Sequence, residues 1–242
     1  MRRVILQMGV TLDGYVAGPG GEGDWGLPAE HPDVRAWKVA SLRQAGTHIM
    51  GRVTYELMAA YWPAATGDYA PFMNDLPTVV FSKTLPTAEW ASSRVARGDL
   101  TEEMGALKSE SGGDIFAHGG AAFVQALSRL GLIDEYRLVI LPVALGKGLP
   151  LFKDLTEPLR VDLAEAKSFP DGTVIHVYRP VRSAGNTWPS QWPDHEPLMV
   201  RLRRPGARAR PDPARAASTV RYSSSKPAAS NGPACSGQWR SG

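Results

Sequence analysis

Short apolar runs alternate with longer amphipathic stretches from residue 4 to about residue 178, and this alternation is the feature that most constrains the fold. Runs rich in valine and isoleucine predict strands, whereas apolar residues three or four positions apart predict helices. Strands separated by helices pair mostly in parallel and build a sheet that helices cover on both faces. The sequence therefore predicts an α/β domain.

The pattern resolves into eight candidate strands and four candidate helices. The strands are predicted over residues 4–10, 47–50, 78–82, 93–96, 114–117, 136–142, 160–167 and 173–178, and the helices over residues 32–44, 54–61, 101–109 and 121–130. Asp99 or Thr101 is suited to cap the third helix, and Gly131 to end the fourth. Pro170-Asp171-Gly172 predicts a tight turn between the last two strands. We expect a mostly parallel sheet that finishes in an antiparallel hairpin.

The composition changes after residue 180. Residues 1–180 carry 17 basic and 21 acidic side chains, a net charge of −4, whereas residues 181–242 carry 10 basic and 3 acidic ones, a net charge of +7. The second segment is rich in Pro, Ser, Gly, Ala and Arg, lacks periodicity, and has too little apolar surface to offset its ordering entropy. We predict a folded domain over residues 1–180 and a disordered basic tail over residues 181–242. Since the basic residues are scattered among prolines without a recognisable motif, we do not expect nucleic-acid binding.

The single cysteine and the amino-terminal segment indicate in which cellular compartment the protein is expected. One cysteine, Cys235, excludes a disulfide within the chain and a cysteine-rich metal site. The apolar run over residues 4–10 is too short for a membrane span and lacks a signal-peptide cleavage site. We expect a cytoplasmic protein with no membrane segment and no bound metal.

Two predicted strands end in glycine where a helix begins. Gly51 is followed by Arg52 and Thr54, and Gly119-Gly120 precede the fourth helix. Free backbone N–H groups and the positive end of a helix favour a phosphate at such a turn. An ordinary turn without a ligand is the alternative at each position, and Arg52 would then face water at the first.

A third predicted strand ends in Ser82-Lys83, which offers a hydroxyl and an ammonium group to a phosphate monoester. Exposed strand ends often have this composition, so the site is informative only as the third of its kind. Parallel strands bring their carboxyl ends to one edge of a sheet, where three such sites could hold the phosphates of one dinucleotide.

Four segments in order resemble the dihydrofolate reductase superfamily, in particular its bacterial branch related to the reductase domain of bifunctional riboflavin-biosynthesis deaminase/reductases. They are residues 11–18 (TLDGYVAG), 49–56 (IMGRVTYE), 79–84 (VVFSKT) and 119–127 (GGAAFVQAL). The resemblance implies a three-layer fold of about eight strands and NADPH as the cofactor.

The resemblance also implies which residues contact NADPH. It assigns phosphate contacts to Gly51, Arg52 and Thr54, the adenosine 2′-phosphate to Ser82 and Lys83, the pyrophosphate to Gly119, Gly120, Ala121 and Ala122, and the nicotinamide carboxamide to the backbones of Gly9, Val16 and Ala17. Asp13-Gly14 fits a bend that folds residues 18–23 over the cofactor as a lid.

The substrate side of the resemblance is carried by Asp24-Trp25 and Glu30. Glu30 stands where the family places the acid that holds a pterin ring, with Asp24 as the competing candidate and Asp13 and Trp25 as further substrate contacts. A partly buried carboxylate binds an amidine-like edge and assists protonation of the acceptor. A helix N-terminal acid is the structural alternative for Glu30.

These residues predict an NADPH-dependent reductase that transfers hydride to a small pterin-like or pyrimidine-like substrate. The resemblance to dimeric relatives also implies a homodimer. One alternative is 5-amino-6-(5-phosphoribosylamino)uracil reduction in riboflavin biosynthesis, although Tyr15 stands where those enzymes usually carry lysine or arginine. One cysteine also cannot build the zinc signature of their deaminase domain. A second alternative is a regulatory nucleotide-binding module without turnover.

Removal of residues 181–242 is expected to leave thermal stability and NADPH binding nearly unchanged, because we predict that this segment packs no core. Circular-dichroism melting and a fluorescence titration of the shortened chain measure both quantities. Unfolding or aggregation of the shortened chain would contradict the domain boundary.

Overall fold

The computed structural model describes residues 1–21, 23, 30–90 and 92–181. Its strands are β1 (Val4–Thr11), β2 (Tyr15–Ala17), β3 (Ala45–Gly51), β4 (Thr78–Phe81), β5 (Ser93–Ala96), β6 (Asp114–Ala117), β7 (Glu135–Leu141), β8 (Leu149–Pro150), β9 (Val161–Ser168) and β10 (Val174–Pro180). Its helices are α1 (Pro32–Leu42), α2 (Arg52–Tyr61), α3 (Ala70–Asp75), α4 (Leu100–Ser109) and α5 (Ala121–Arg129), with a 3-10 turn over Trp62–Ala64. The predictions for Asp24, for Trp25 and for the tail after Val181 lie outside the described residues.

The main sheet has eight strands in the order β5-β4-β3-β6-β1-β7-β10-β9. The first six are parallel, and β10 is antiparallel to both of its neighbours. The predicted mixed sheet with a final hairpin is confirmed. A separate antiparallel pair, β2 with β8, was not predicted, because a two-residue strand leaves no periodic pattern.

Successive residues on each strand face opposite sides of the sheet, and both sides are buried. On β3, Ile49 packs in the cluster that includes Met104 of α4 and Leu127 of α5, whereas Met50 packs with Met73 of α3. Val34 of α1 packs against the strands at the other end of the sheet. Helices therefore cover both faces, as predicted.

The helix ends and the final turn follow local chemistry. The Asp99 carboxylate accepts hydrogen bonds from the backbone N–H groups of Thr101 and Glu102, so Asp99 caps α4. Gly131 follows α5 at φ +63°. At the hairpin turn, Asp171 accepts from the backbone N–H of Thr173, and Gly172 has φ +84°. Each of these signals was readable in the sequence.

Helix boundaries differ from the predictions by about one turn or less. Helix α1 ends at Leu42 rather than at residue 44, because the chain already turns into β3 at Ala45. Helix α2 begins two residues before residue 54, and the six-residue α3 was missed because it is too short for a helical period. No helix in the described part of the chain is long and apolar enough to cross a membrane.

The strand order indicates where on the sheet a ligand would bind. Strands β1, β3, β4 and β6 are parallel, so their carboxyl ends meet at the same edge. The chain reaches β3 from β1, moves outward to β4 and β5, and then returns to insert β6 between β3 and β1. In open α/β sheets, ligands bind outside the carboxyl ends of the strands where the strand order reverses.

Candidate functional site

A cavity of about 680 Å³ opens at this carboxyl edge. Its walls come from the segment around β2, the β3–α2 turn and the turn that leads into α5, together with residues of β1, β4 and β8. Its lining residues are Met8, Val16, Ala17, Gly21, Gly23, Gly51, Arg52, Val53, Thr54, Leu57, Phe81, Gly119, Gly120, Ala121, Ala122, Phe123 and Leu149. We call it the larger cavity.

Nine of the twelve residues expected to contact a cofactor line the larger cavity. They are Val16, Ala17, Gly51, Arg52, Thr54, Gly119, Gly120, Ala121 and Ala122. Gly9 lines a neighbouring cavity instead. The lining of the larger cavity stops at Phe81, one residue before Ser82 and Lys83, which follow β4.

The turn into α5 leaves the first N–H groups of the helix open. Gly119 and Gly120 have φ +31° and +80°, and no side chain caps the helix. A Cβ atom on Gly120 would lie 2.9 Å from the Thr54 hydroxyl oxygen. Only glycine fits this turn without strain, and the uncapped helix end is suited to bind a pyrophosphate.

Arg52 begins α2 and already has a partner on its own helix. Its Nη1 donates to the Glu56 carboxylate at 2.9 and 3.2 Å, and both side chains are about half exposed. A surface ion pair at this spacing contributes about 0.3–0.5 kcal/mol. A phosphate group can therefore compete with Glu56 for the guanidinium.

The hydroxyl oxygen of Ser82 organises the turn after β4. It accepts hydrogen bonds from the backbone N–H groups of Thr84 at 3.1 Å and Leu85 at 2.9 Å, while Lys83 is exposed. The O–H proton of Ser82 and the Lys83 ammonium are left to meet an anion at the rim, outside the larger cavity itself.

Apolar side chains that the sequence reasoning did not single out form much of the wall. Phe81 and Phe123 stack with ring centroids 5.1 Å apart. Val53 and Leu57 on α2 are 59% and 69% exposed, although both are apolar. A flat ligand covering these two side chains would bury surface that water now contacts, which is favourable. The sequence signal that could have identified Val53 and Leu57 as site residues is their position within the IMGRVTYEL segment.

A second cavity of about 250 Å³ adjoins the first, and Met8 lines both. We call it the smaller cavity. Its lining residues are Gln7, Met8, Gly9, Glu30, Lys38, Leu42, Met58, Trp62, Tyr69, Met73 and His118. The sequence predicted Glu30 and Gly9 as site residues; the polar partners around them come from α1, from β1 and from the chain near α3.

Two side chains donate hydrogen bonds to Glu30 in the smaller cavity. Its Oε1 accepts from Lys38 Nζ at 2.5 Å and its Oε2 from the Tyr69 hydroxyl at 2.9 Å. Burial and the neighbouring Glu30 charge raise the pKa of Tyr69, so the phenol keeps its proton and donates it. The Glu30 carboxylate is therefore oriented and keeps lone pairs for a further donor.

Asp13 lines neither cavity. Its carboxylate accepts from the Thr11 hydroxyl at 2.6 Å and from the backbone N–H of Gly146 at 2.7 Å. These hydrogen bonds lower the pKa of Asp13, the Thr11 bond most strongly. The structure thus shows Asp13 joining the turn before β2 to the loop after β7.

The sequence analysis did not identify a buried histidine pair, His48 and His118. The Nε2 atom of His118 lies 2.7 Å from Nδ1 of His48, and Nε2 of His48 lies 2.8 Å from the Phe72 carbonyl oxygen. Burial lowers the pKa of both imidazoles, and for His118 the neighbouring His48 adds to this effect. Both rings are therefore neutral near pH 7.

Within the described residues, no three His, Cys, Asp or Glu side chains cluster as metal ligands would. The polar groups that line the two cavities include backbone N–H groups and the side chains of Arg52, Thr54, Gln7, Glu30, Lys38, Tyr69 and His118. This set is suited to bind an anionic dinucleotide beside a small polar molecule.

Residues 2–175 match the family model of the RibD C-terminal domain. The uncharacterized protein YyaP of Bacillus subtilis strain 168 is 33% identical over 182 residues, which cover 73% of this chain and 94% of that protein. The family-model match includes every residue that lines the two cavities.

Solved structures show the same fold. A protein from Shewanella sp. PV-4, assigned provisionally to riboflavin biosynthesis, aligns with a TM-score of 0.63 and 24% identity over 75% of this chain and all of that one. Dihydrofolate reductase from Enterococcus faecalis, solved with NADP(H), aligns with a TM-score of 0.51 and 15% identity over 74% of this chain and 97% of that one.

Proposed function

This chain belongs to the RibD C-terminal domain family and has the dihydrofolate-reductase-like fold, and from this premise we propose that it is an NADPH-dependent reductase of a small pyrimidine-like or pterin-like substrate. The observation that carries the proposal is the larger cavity, where three turns separated in sequence present glycines and a helix end to one space. The smaller cavity adjoins it at Met8 and offers a place for the hydride acceptor.

The residues of the larger cavity fit NADPH. The turn Gly119-Gly120 and the uncapped end of α5 hold the pyrophosphate, while Arg52 and Thr54 meet further phosphate oxygens. The apolar side chains of this wall exclude water around the ligand, as hydride chemistry requires. NADPH, when bound, supplies the hydride.

The smaller cavity fits the substrate. Glu30, oriented by Lys38 and Tyr69, accepts hydrogen bonds from an amidine-like edge of a heterocycle. Because Glu30 is already paired with a lysine ammonium group, we propose that it anchors the ring as a carboxylate.

The second candidate is reduction of 5-amino-6-(5-phosphoribosylamino)uracil, which the family match favours. Tyr15 stands where the riboflavin-pathway enzymes usually carry a cation, so the substrate phosphate would need another partner. Lys147 lies in the loop that ends at β8, which pairs with the strand that carries Tyr15, and is a candidate for that contact.

A fluorescence titration with NADPH, followed by an NADPH-oxidation screen, tests the proposal. The screen compares dihydrofolate, other pterins and 5-amino-6-(5-phosphoribosylamino)uracil. Micromolar NADPH binding with turnover of one of these compounds is the expected result. Binding without any turnover would favour a regulatory nucleotide-binding module, and failure to bind NADPH would refute the cofactor assignment.

The variant Lys83→Ala is expected to weaken NADPH binding by about 10- to 100-fold and NADH binding much less. The reason is that a charged hydrogen bond contributes about 1.5–3 kcal/mol, and only NADPH carries the 2′-phosphate. Dissociation constants for both nucleotides measure the ratio. The matched control is Arg129→Ala, which removes an exposed basic side chain from the last turn of α5, outside the lining of the larger cavity. Equal losses for NADPH and NADH would contradict the 2′-phosphate assignment.

A further inference from the structure

Gln7 and His118 are neighbours on one face of the sheet and both line the smaller cavity. Strands β1 and β6 are parallel and pair Leu6 with Ala117, so the next residues along, Gln7 and His118, lie side by side. The Oε1 atom of Gln7 is buried and has no hydrogen-bond partner among the described residues. A buried amide oxygen without a partner is unfavourable by about 1–3 kcal/mol, so a ligand that donates to it is favoured.

The hydrogen-bond chain behind His118 determines which of its nitrogens carries the proton. The Phe72 carbonyl oxygen can only accept, so Nε2 of His48 carries a proton and donates it. Neutral His48 then has a lone pair on Nδ1, and Nε2 of His118 must be the donor to it. Because the His118 imidazole is also neutral, its own Nδ1 has a lone pair and no proton.

We propose that the His48–Phe72 contact fixes His118 as a hydrogen-bond acceptor and that His118, together with Gln7, selects a ligand edge rich in N–H donors. Both residues then determine specificity, and His48 is a positioning residue that acts through His118. This inference rests on the proposed function in one respect, the assignment of the smaller cavity to the substrate.

The chemical consequence is a group of three acceptor atoms in the wall of the smaller cavity, beside the Lys38 ammonium group that donates to Glu30. Glu30 contributes a carboxylate, Gln7 an amide oxygen and His118 an imine-type nitrogen. A heterocycle edge with amino groups satisfies these atoms, whereas a keto or ether oxygen would face their lone pairs. An amino-substituted pyrimidine or pterin edge fits this wall, and a fully alkylated analogue does not.

The proton positions can be measured directly on the full chain. Long-range ¹H–¹⁵N correlation spectra of the labelled protein distinguish protonated from unprotonated ring nitrogens. We expect Nε2 protonated and Nδ1 unprotonated in both His48 and His118 at about pH 8, above the ordinary imidazole pKa. A proton on Nδ1 of His118 at this pH would overturn the inference without any ligand or variant.

Ligand selectivity is the second measurement, with 2,4-diaminopyrimidine and 2,4-dimethoxypyrimidine as the probes in isothermal titration calorimetry. His118→Phe keeps an aromatic ring and removes the acceptor, so the preference for the diamino probe should fall about tenfold. His48→Phe should give a similar loss by freeing the His118 tautomer. His48→Asn keeps an acceptor oxygen for His118 Nε2 and should restore the preference.

The outcomes separate this inference from the proposed function. An unchanged probe preference in folded His118→Phe, verified by its circular-dichroism spectrum, overturns the inference, as does equal behaviour of His48→Phe and His48→Asn. An NADPH titration of the wild-type chain tests the cofactor assignment alone. NADPH binding without His118-dependent probe preference refutes only the inference, and the reverse result refutes only the NADPH assignment.

Discussion

Replacing Glu135 by glutamine is expected to lower the free energy of unfolding by about 3–5 kcal/mol, because it removes a buried carboxylate from a cluster with three arginines, of which Arg137 is also buried. Glu135 is 2% exposed, and its Oε1 accepts from Arg137 Nε at 2.7 Å and its Oε2 from Arg179 Nε at 3.0 Å. Arg3 also reaches Oε2, at 3.5 Å. The variant leaves Arg137 buried with an uncompensated charge. Urea unfolding followed by tryptophan fluorescence measures the difference.

The matched control is Glu56→Gln, which breaks the half-exposed pair with Arg52. A surface pair contributes at most about 1 kcal/mol, so this variant should unfold nearly as the wild type does. Similar losses in the two variants would show that the Glu135 cluster contributes no more than a surface contact.

The loss in Glu135→Gln should also depend on pH. Burial alone would raise the pKa of Glu135, but the hydrogen bonds and charges of Arg137, Arg179 and Arg3 hold it below its ordinary value of 4.5. A carboxylate with a lowered pKa stabilises the fold above that ordinary value, and this contribution is lost as the pH falls through the folded pKa. The difference between wild type and variant is therefore complete at pH 7 and shrinks below about pH 4.5. If the stability difference between wild type and Glu135→Gln stayed constant down to pH 3, Glu135 would not act as an ionised carboxylate in the folded protein.

Replacing Gly120 by alanine is expected to weaken NADPH binding by about 10- to 100-fold. At φ +80° a side chain is strained by about 1–3 kcal/mol, and the added Cβ atom would lie 2.9 Å from the Thr54 hydroxyl. Relief of this strain moves the turn that places the first N–H groups of α5. A fluorescence titration with NADPH measures the affinity, and thermal unfolding checks the fold.

Gly105 in α4 provides the control for the same substitution. A Cβ atom there meets nothing within 4 Å, and the residue lies inside a helix. Gly105→Ala should raise the free energy of unfolding by about 0.5–1 kcal/mol and leave NADPH binding unchanged. If Gly120→Ala binds NADPH as tightly as Gly105→Ala does, the α5 turn does not form part of the cofactor site.

The sheet edge explains how scattered short motifs come to line one cavity. Gly51 ends β3, Phe81 ends β4 and Gly119 follows β6, and parallel pairing brings these three strand ends together. Motifs at strand ends therefore converge whenever the strands between them are parallel. The hairpin β9–β10 lies outside this arrangement and adds no residue to the lining of either cavity.

The sequence by itself determined the element types, the parallel sheet with its final hairpin and the glycines at the strand ends, because periodicity and turn chemistry are local properties. The segment around Glu30 also gave this residue as a candidate substrate-binding acid. Only the tertiary structure decided that Lys38 and Tyr69 hold Glu30, that Asp13 binds a distant loop, and that His48 meets His118 seventy positions away. These contacts depend on strand order and on the packing of helices across the sheet, and such long-range geometry leaves no local pattern in the sequence.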